Sequence, residues 1–376
     1  MNHEPIIIMD FNQKRLKFEK PLQVWQSYNK ENVKEIFDKV QEAINNQFYV
    51  AGYVSYECAP AFDRHLSVCD PDAEIPLVWF GVYDKPVEKE AIRRAGEYNI
   101  SDWSIGKDFS EYKNNIACIH EAIARGETYQ VNYSTRLQAK FSGDDFAYYE
   151  HLSEAQHTNY SAYLNIGRYR ILSVSPELFF QWNGDNIRTK PMKGTLPRSE
   201  SKRALLESEK NRTENVMIVD LLRNDLGRIA KTGTIKVPKL FEIEEYPTLY
   251  QMTSTIEANT KQGITLFDVF QAMFPCGSIT GAPKISTMKI ISSLEQEPRH
   301  IYCGAIGLFV PGEGITFNVA IRTVLVDTLT QQAVYGVGGG IIWDSTAVDE
   351  YEEMRTKSRV LTNRNLQIGK TEVDCE

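Results

Sequence analysis

Cysteine and histidine are scarce and scattered, and that scarcity narrows the chemistry. Six cysteines stand in 376 residues, at Cys58, Cys69, Cys118, Cys276, Cys303 and Cys375, and none forms a C-x-x-C pair. Such spacing supplies neither a disulfide frame nor a thiolate clip, and it suits free thiols in a reducing compartment. The six histidines make no H-x-x-x-H pair and join no cysteine cluster, so no zinc centre is expected. Long apolar runs are missing too. Residues 5–9 are apolar but flanked by Glu4 and Asp10, too short for the core of a signal peptide. No stretch approaches the roughly 20 residues that cross a bilayer. Positive charge is not in excess: 50 acidic side chains outnumber 42 basic ones, for a net charge of −8. Neither nucleic acid nor a membrane is an expected partner, and the cytoplasm is the expected location.

What is present is ordinary globular material, 42% hydrophobic and 24% charged, enough for a sizeable core. The length suits two or three domains, or one large two-lobed domain. Apolar residues at helical spacing predict helices over 32–45, 109–125, 145–156, 199–228 and 344–361. β-branched and aromatic runs predict strands over 48–56, 77–83, 129–137 and 317–326. Hairpins are expected over 160–174, turning at Gly167, and over 178–189, turning at Asn183–Gly184. The stretch 57–72 reads as a loop. A soft boundary falls in the charged segment 85–108, which divides an N-terminal region, 1–105, from a main unit, 106–366. The tail, 367–376, has no apolar pattern and is expected to be disordered. No internal repeat is visible.

The chemistry concentrates in 190–198, KPMKGTLPR. Gly194 lets a substrate approach the backbone beside Lys193, and Pro191 and Pro197 stiffen both ends of an expected loop. Lysine attacks only as a free amine; a solvated surface turn is the plain alternative. Glu350, Glu353 and Lys357 fall on one helix face, where two carboxylates can hold a hard cation and the lysine can meet an anion. A solvated Glu–Lys face is the alternative here. Glu214 borders the apolar run 216–219. GVGGG, 336–340, exposes backbone N–H groups that can cradle a carboxylate, or is only a tight turn. Arg322 sits in an apolar strand pattern and needs a partner, for which an anionic substrate is one option. Glu177, in SPE, is a candidate general acid if partly buried. GSITGAPK, 277–284, lacks the spacing of a phosphate loop, and no dinucleotide fingerprint is present.

Nine ordered stretches, YQVNYS, SPELF, KPMKGTLPR, ENVMIVDLLRND, PCGSITGAPK, CGAIGLF, FNVAIRT, GVGGGI and DEYEEMRTK, resemble the chorismate-utilising enzymes over roughly 109–365. SYECAPAFD near the N-terminus resembles the aminodeoxychorismate-forming branch more weakly. The resemblance implies an α+β fold of four α/β/β/α layers, with two large, mostly antiparallel sheets packed on each other and a cleft between lobes. It implies chorismate as substrate and Mg2+ as cofactor. Glu214 and Glu353 match metal-ligand positions, with Glu350 close by or acting through water. Arg322, Lys357, Thr195 and the amides of Gly338 and Gly340 match positions that hold substrate carboxylates, and Glu177 matches the general acid.

Two residues point to a branch. Anthranilate synthases usually carry alanine where Lys193 stands, whereas the aminodeoxychorismate branch carries a nucleophilic lysine. Isochorismate and salicylate synthases usually carry a lysine base where Gln130 stands. The pair implies attack of Lys193 on C2 of chorismate as Glu177 protonates the departing C4 oxygen, then addition of ammonia at C4. No cysteine has the context of a glutaminase elbow, so ammonia is expected from a separate glutamine amidotransferase subunit. The alternatives are anthranilate synthase component I, a silent chorismate-binding subunit and, more distantly, a nucleotide-binding module. Gln251 and Leu308 replace a histidine and a tyrosine common in relatives, at positions expected near the substrate.

Overall fold

The computed structural model describes residues 4–87, 96–246 and 249–361. Two ten-stranded antiparallel sheets organise it. The first runs Gly281–Ala282, Gln130–Gly143, Gln332–Ile341, Thr323–Asp327, Tyr169–Ser175, Tyr160–Asn165, Ile6–Phe11 and Lys14–Glu19, with Tyr98–Ile100 and Ser104–Ile105 also on Gln130–Gly143. The second runs Met192–Pro197, Leu249–Asn259, Asn186–Lys190, Leu178–Trp182, Gly314–Val319, Ala305–Val310, Tyr49–Val54, Val78–Tyr83 and Gln23–Ser27, with Lys236–Glu245 also on Leu249–Asn259. The N-terminal region thus extends both sheets.

Period-2 alternation sorts the side chains into layers. In Ala305–Val310, Ile306, Leu308 and Val310 join Ile7, Ala162 and Ile171 of the first sheet in the layer between the sheets. Ala305 and Phe309 face the other way. There they pack with the helices Val33–Asn45, Glu209–Gly227 and Leu266–Met273. A third cluster joins the outer face of the first sheet to Phe109–Ala124, Asp145–Gln156, Lys284–Glu295 and Ala347–Ser358. The result is the four-layer arrangement expected. Helix ends follow the sequence locally: Asp108 and Asp144 each cap a helix by accepting backbone N–H groups. No described helix is long and apolar enough to cross a membrane.

Four expectations change. The single strand expected over 317–326 is two strands in different sheets, Gly314–Val319 and Thr323–Asp327. The chain turns between them with Arg322 at φ +50°. The helix expected over 199–228 is two, Lys202–Glu207 and Glu209–Gly227. Extended Ser208 breaks it and caps the second through Asn211 N–H. GVGGG is neither turn nor loop but part of the strand Gln332–Ile341. The stretch expected as a loop over 57–72 begins with short helical turns, Tyr56–Cys58 and Ala59–Phe62. Buried Glu57 accepts the N–H groups of Arg299 at 2.7 Å and His300 at 2.8 Å. The tail 367–376 lies outside the described residues, as does part of the boundary segment 85–108.

Candidate active site

The chain passes between the sheets twice at one place. Ser175 ends a strand of the first sheet and Leu178 begins one of the second, so Glu177 lies in the passage. Arg322 lies in the return passage, between Val319 and Thr323. The two passages brace each other. Val319 N–H donates to Glu177 O at 3.0 Å, Val174 N–H to Arg322 O at 3.0 Å, and Ser175 Oγ to Val319 O at 2.6 Å. Backbone donors and acceptors need partners when buried, and here each passage supplies the other's.

Glu177 is 3% exposed and accepts a 2.6 Å hydrogen bond from Ser278 Oγ. Burial pushes its carboxyl up to about 7, against the pull of Ser278, Lys193 and Arg322. Arg322 is half-buried, and burial lowers its guanidinium below the usual range. Its one side-chain hydrogen bond among the described residues goes to Gln156 Oε1 at 2.6 Å, which leaves most of its donors free for an anion.

Lys193 belongs to an edge strand, not to the loop expected. Met192 pairs with Thr253 and Thr195 with Gln251, so three steps on one strand oppose two on the other. That is a β-bulge, with Gly194 at φ +87°. Lys193 Nζ stands 3.9 Å from Glu214 Oε2, with the side chains 12% and 11% exposed. The glycine strand lets these groups meet. A Cβ at Gly340 would lie 2.8 Å from Lys193 Nζ, and one at Gly339 would lie 2.9 Å from Glu350 Oε2. Lys357 Nζ donates to Gly338 O at 2.9 Å and pairs with Glu353 Oε1 at 2.8 Å.

The fold thus gathers Lys193, Glu214, Gly338, Gly340, Glu350, Glu353 and Lys357 into one group, with Glu177 and Arg322 close enough to act on it or on each other. Lys357, then burial, sets the Glu353 carboxyl, with a net shift downward. Burial and the neighbouring Glu353 push the Glu350 carboxyl upward, although Ser345 Oγ donates to it at 2.7 Å. Among the described residues, no three of His, Cys, Asp and Glu cluster as a ready metal-ligating group. Yet the acids offer only oxygen donors, and two of them repel each other. A hard cation bound through one or two carboxylates, with water and substrate completing its shell, fits that set.

Ser278 and Lys210 carry no site signal of their own in the sequence, whereas Gln130 and Gln251 stand out there only against relatives. Gln130, noted there only as a branch marker, is fully buried, and neither amide atom has a partner among the described residues. Its Nε2 would lie 2.6 Å from a Cβ at Gly340. Ser278 sits in GSITGAPK, where only the phosphate-loop question had been asked. Lys210 Nζ stands 4.0 Å from Glu350 Oε1. Gln251 accepts from Thr195 Oγ1 at 2.8 Å and donates to Gly194 O at 2.7 Å. Leu308, by contrast, packs between the sheets.

Two large antiparallel sheets between helical layers, with a lysine and carboxylates gathered where the chain changes sheet, define a class of two-sheet α/β/β/α enzymes. Residues 94–363 match the chorismate binding enzyme family, and the chain belongs to it. It is 41% identical over 270 residues to aminodeoxychorismate synthase component 1 of Salmonella typhimurium, covering 69% of this chain and 59% of that protein. It is 34% identical over 343 residues to the protein of that name from Escherichia coli, covering 82% of this chain and 75% of that one. Among solved structures, anthranilate synthase component I from Streptococcus pneumoniae shares the fold at a TM-score of 0.75 and 23% identity, covering 96% of this chain and 91% of that one. MenF, the menaquinone-specific isochorismate synthase of Escherichia coli, gives a TM-score of 0.74 at 15% identity, covering 95% and 88%.

Proposed function

We propose that this chain is the chorismate-aminating component of an aminodeoxychorismate synthase, converting chorismate and ammonia to 4-amino-4-deoxychorismate. The observation that carries the reading is a lysine, Lys193, held beside Glu214 and close enough to act on a buried carboxyl, Glu177, which burial pushes up to about 7. An acid poised near neutral pH can donate a proton and take it back. Relatives bearing that name align over most of this chain.

Arg322 and Lys357, with Thr195 and the backbone at Gly194, Gly338 and Gly340, hold the two carboxylates of chorismate. The Lys193 amine forms a bond to C2. Both conjugated ring double bonds shift, C1=C2 to C1=C6 and C5=C6 to C4=C5, the C4–O bond breaks, and Glu177 protonates the oxygen, which leaves as water. Ammonia then bonds to C4, both double bonds shift back, and the C2–N bond breaks, returning its electron pair to Lys193. Two displacements replace one hard one, and the enolpyruvyl group is retained. Glu214 and Glu353, with Glu350 directly or through water, would hold Mg2+, which when bound neutralises the ring carboxylate. Ammonia comes from a separate glutamine amidotransferase, and the complex works in the cytoplasm. The catalytic unit is 106–366, with 1–105 packed onto both of its sheets.

Product identity tests the reading. The purified chain, chorismate, Mg2+ and an ammonium salt should yield 4-amino-4-deoxychorismate by mass spectrometry. Lys193→Ala should reduce its formation at least about 100-fold, the cost of losing a covalent nucleophile. Anthranilate as product would overturn the proposal.

A further inference from the structure

The bulge that presents Lys193 leaves a gap in its own sheet. Between the pairs Met192–Thr253 and Thr195–Gln251, Lys193 and Gly194 share a single residue, Met252, opposite them. An edge strand that skips a step has lost a ladder bond and is free to slide or flatten. Gly194, at φ +87°, adds freedom of its own. Yet Lys193 has to be aimed, because a misplacement of about 1 Å can cost on the order of 100-fold in rate.

One side chain fills the gap. Gln251, opposite Thr195 on the neighbouring strand, is 2% exposed. Its Nε2 donates to Gly194 O at 2.7 Å, giving a carbonyl of the bulge a side-chain partner. Its Oε1 accepts from Thr195 Oγ1 at 2.8 Å. The amide can face only one way, because a carbonyl accepts and never donates. Nε2 must therefore meet Gly194 O, Oε1 must meet Thr195, and the Thr195 hydroxyl must spend its proton on Gln251. On the other side of Gly194, Asn211 stands close: a Cβ at Gly194 would lie 3.0 Å from Asn211 Cγ.

We propose that Gln251 is a positioning residue for Lys193, its side-chain amide replacing the missing ladder bond of the bulge. This deepens the functional reading above and rests on it. It also refines the role of Thr195. With its hydroxyl proton committed to Gln251, the Thr195 side chain offers lone pairs only.

The test compares Gln251→Leu with Gln251→His. Leucine fills similar space but cannot donate to Gly194 O; a neutral histidine can, through one ring N–H. Gln251→Leu is expected to lower kcat about 10–100-fold with KM for chorismate changed less than about threefold, since Arg322 and Lys357 are untouched. Gln251→His is expected to recover most of the loss. In parallel, Lys193 is labelled with pyridoxal 5′-phosphate and borohydride, and the modified peptide is quantified. Labelling of Lys193 should be several-fold faster in Gln251→Leu, as the side chain leaves its place beside Glu214 and Gly340, with Lys210 labelled at the wild-type rate. Equal kcat for leucine and wild type, or unchanged Lys193 labelling, would overturn the proposal. A wild-type chain that makes anthranilate, or nothing, would instead overturn the functional reading, and the labelling rate would still decide the part played by Gln251.

Discussion

Glu177 answers to two opposed influences. Burial favours its neutral form, while Ser278 Oγ, Lys193 and Arg322 favour the ionised one, and the balance lies at about 7. As a general acid it works only while protonated, so kcat/KM for chorismate should fall as pH rises through that value. Ser278→Ala removes a hydrogen bond to the carboxylate, the form that the bond stabilises. The carboxyl should then hold its proton to higher pH, and the alkaline limb of the pH–rate profile should move upward. A limb that stays in place or moves downward would show that Ser278 does not set this group. The sequence carried the acid but not its regulator: SPE marks Glu177, whereas Ser278 lies 101 residues further on. No periodicity encodes a contact across that separation. The resemblance marked the positions of Gln130 and Gln251, but the burial of their amides was hidden for a related reason. A glutamine in a strand pattern is neutral evidence until the fold shows its amide buried.

Among the elements, the helices over 32–45, 109–125 and 145–156 and the hairpins over 160–174 and 178–189 were legible because each repeats a local period, and the four-layer class followed from the ordered motifs. What was not legible was where the chain changes sheet. FNVAIRTVLV reads as one β-branched, apolar run, yet the strand ends at Val319 and a new one begins at Thr323 in the other sheet. Nothing in a period of two marks the positive φ at Arg322. The glycine strand misled in the opposite sense, since glycines read as a turn, whereas here they clear space between packed groups. This gives a prediction that separates two of them. A Cβ at Gly338 would lie 2.2 Å from Tyr133 O and 2.6 Å from Ser134 Cα, both backbone atoms of the adjacent strand. Gly338→Ala should therefore destabilise the protein by about 1–3 kcal/mol, seen as a Tm several degrees lower. At Gly340 the obstacles are Gln130 Nε2 at 2.6 Å and Lys193 Nζ at 2.8 Å, the far ends of side chains. Gly340→Ala should hold its Tm within about 2 °C and lose roughly 10–100-fold in kcat. Equal Tm losses in the two variants would refute the distinction.

At the scale of the whole molecule, the candidate site lies where the chain changes sheet, so the group proposed as the general acid is also a group the fold must bury. The consequence for stability has a definite sign. A glutamate has an ordinary value of 4.5, and Glu177 is raised to about 7 by folding. Below 4.5 both folded and unfolded chains hold the proton. Between 4.5 and 7 the unfolded chain releases it and the folded chain does not, so its contribution to stability falls as pH rises, on the order of 3 kcal/mol in all. Above 7 the loss is complete. Glu177→Gln removes this dependence, and its amide can still face Ser278. Other raised acids, such as Glu57 at about 7, are present in both proteins and cancel in the difference. The variant should therefore gain stability relative to wild type as pH rises from 5 to 7.5, while losing turnover throughout. Parallel urea unfolding curves at several pH values check this, and a difference that stays flat with pH would mean that Glu177 is ionised in the folded protein and cannot be its acid at neutral pH.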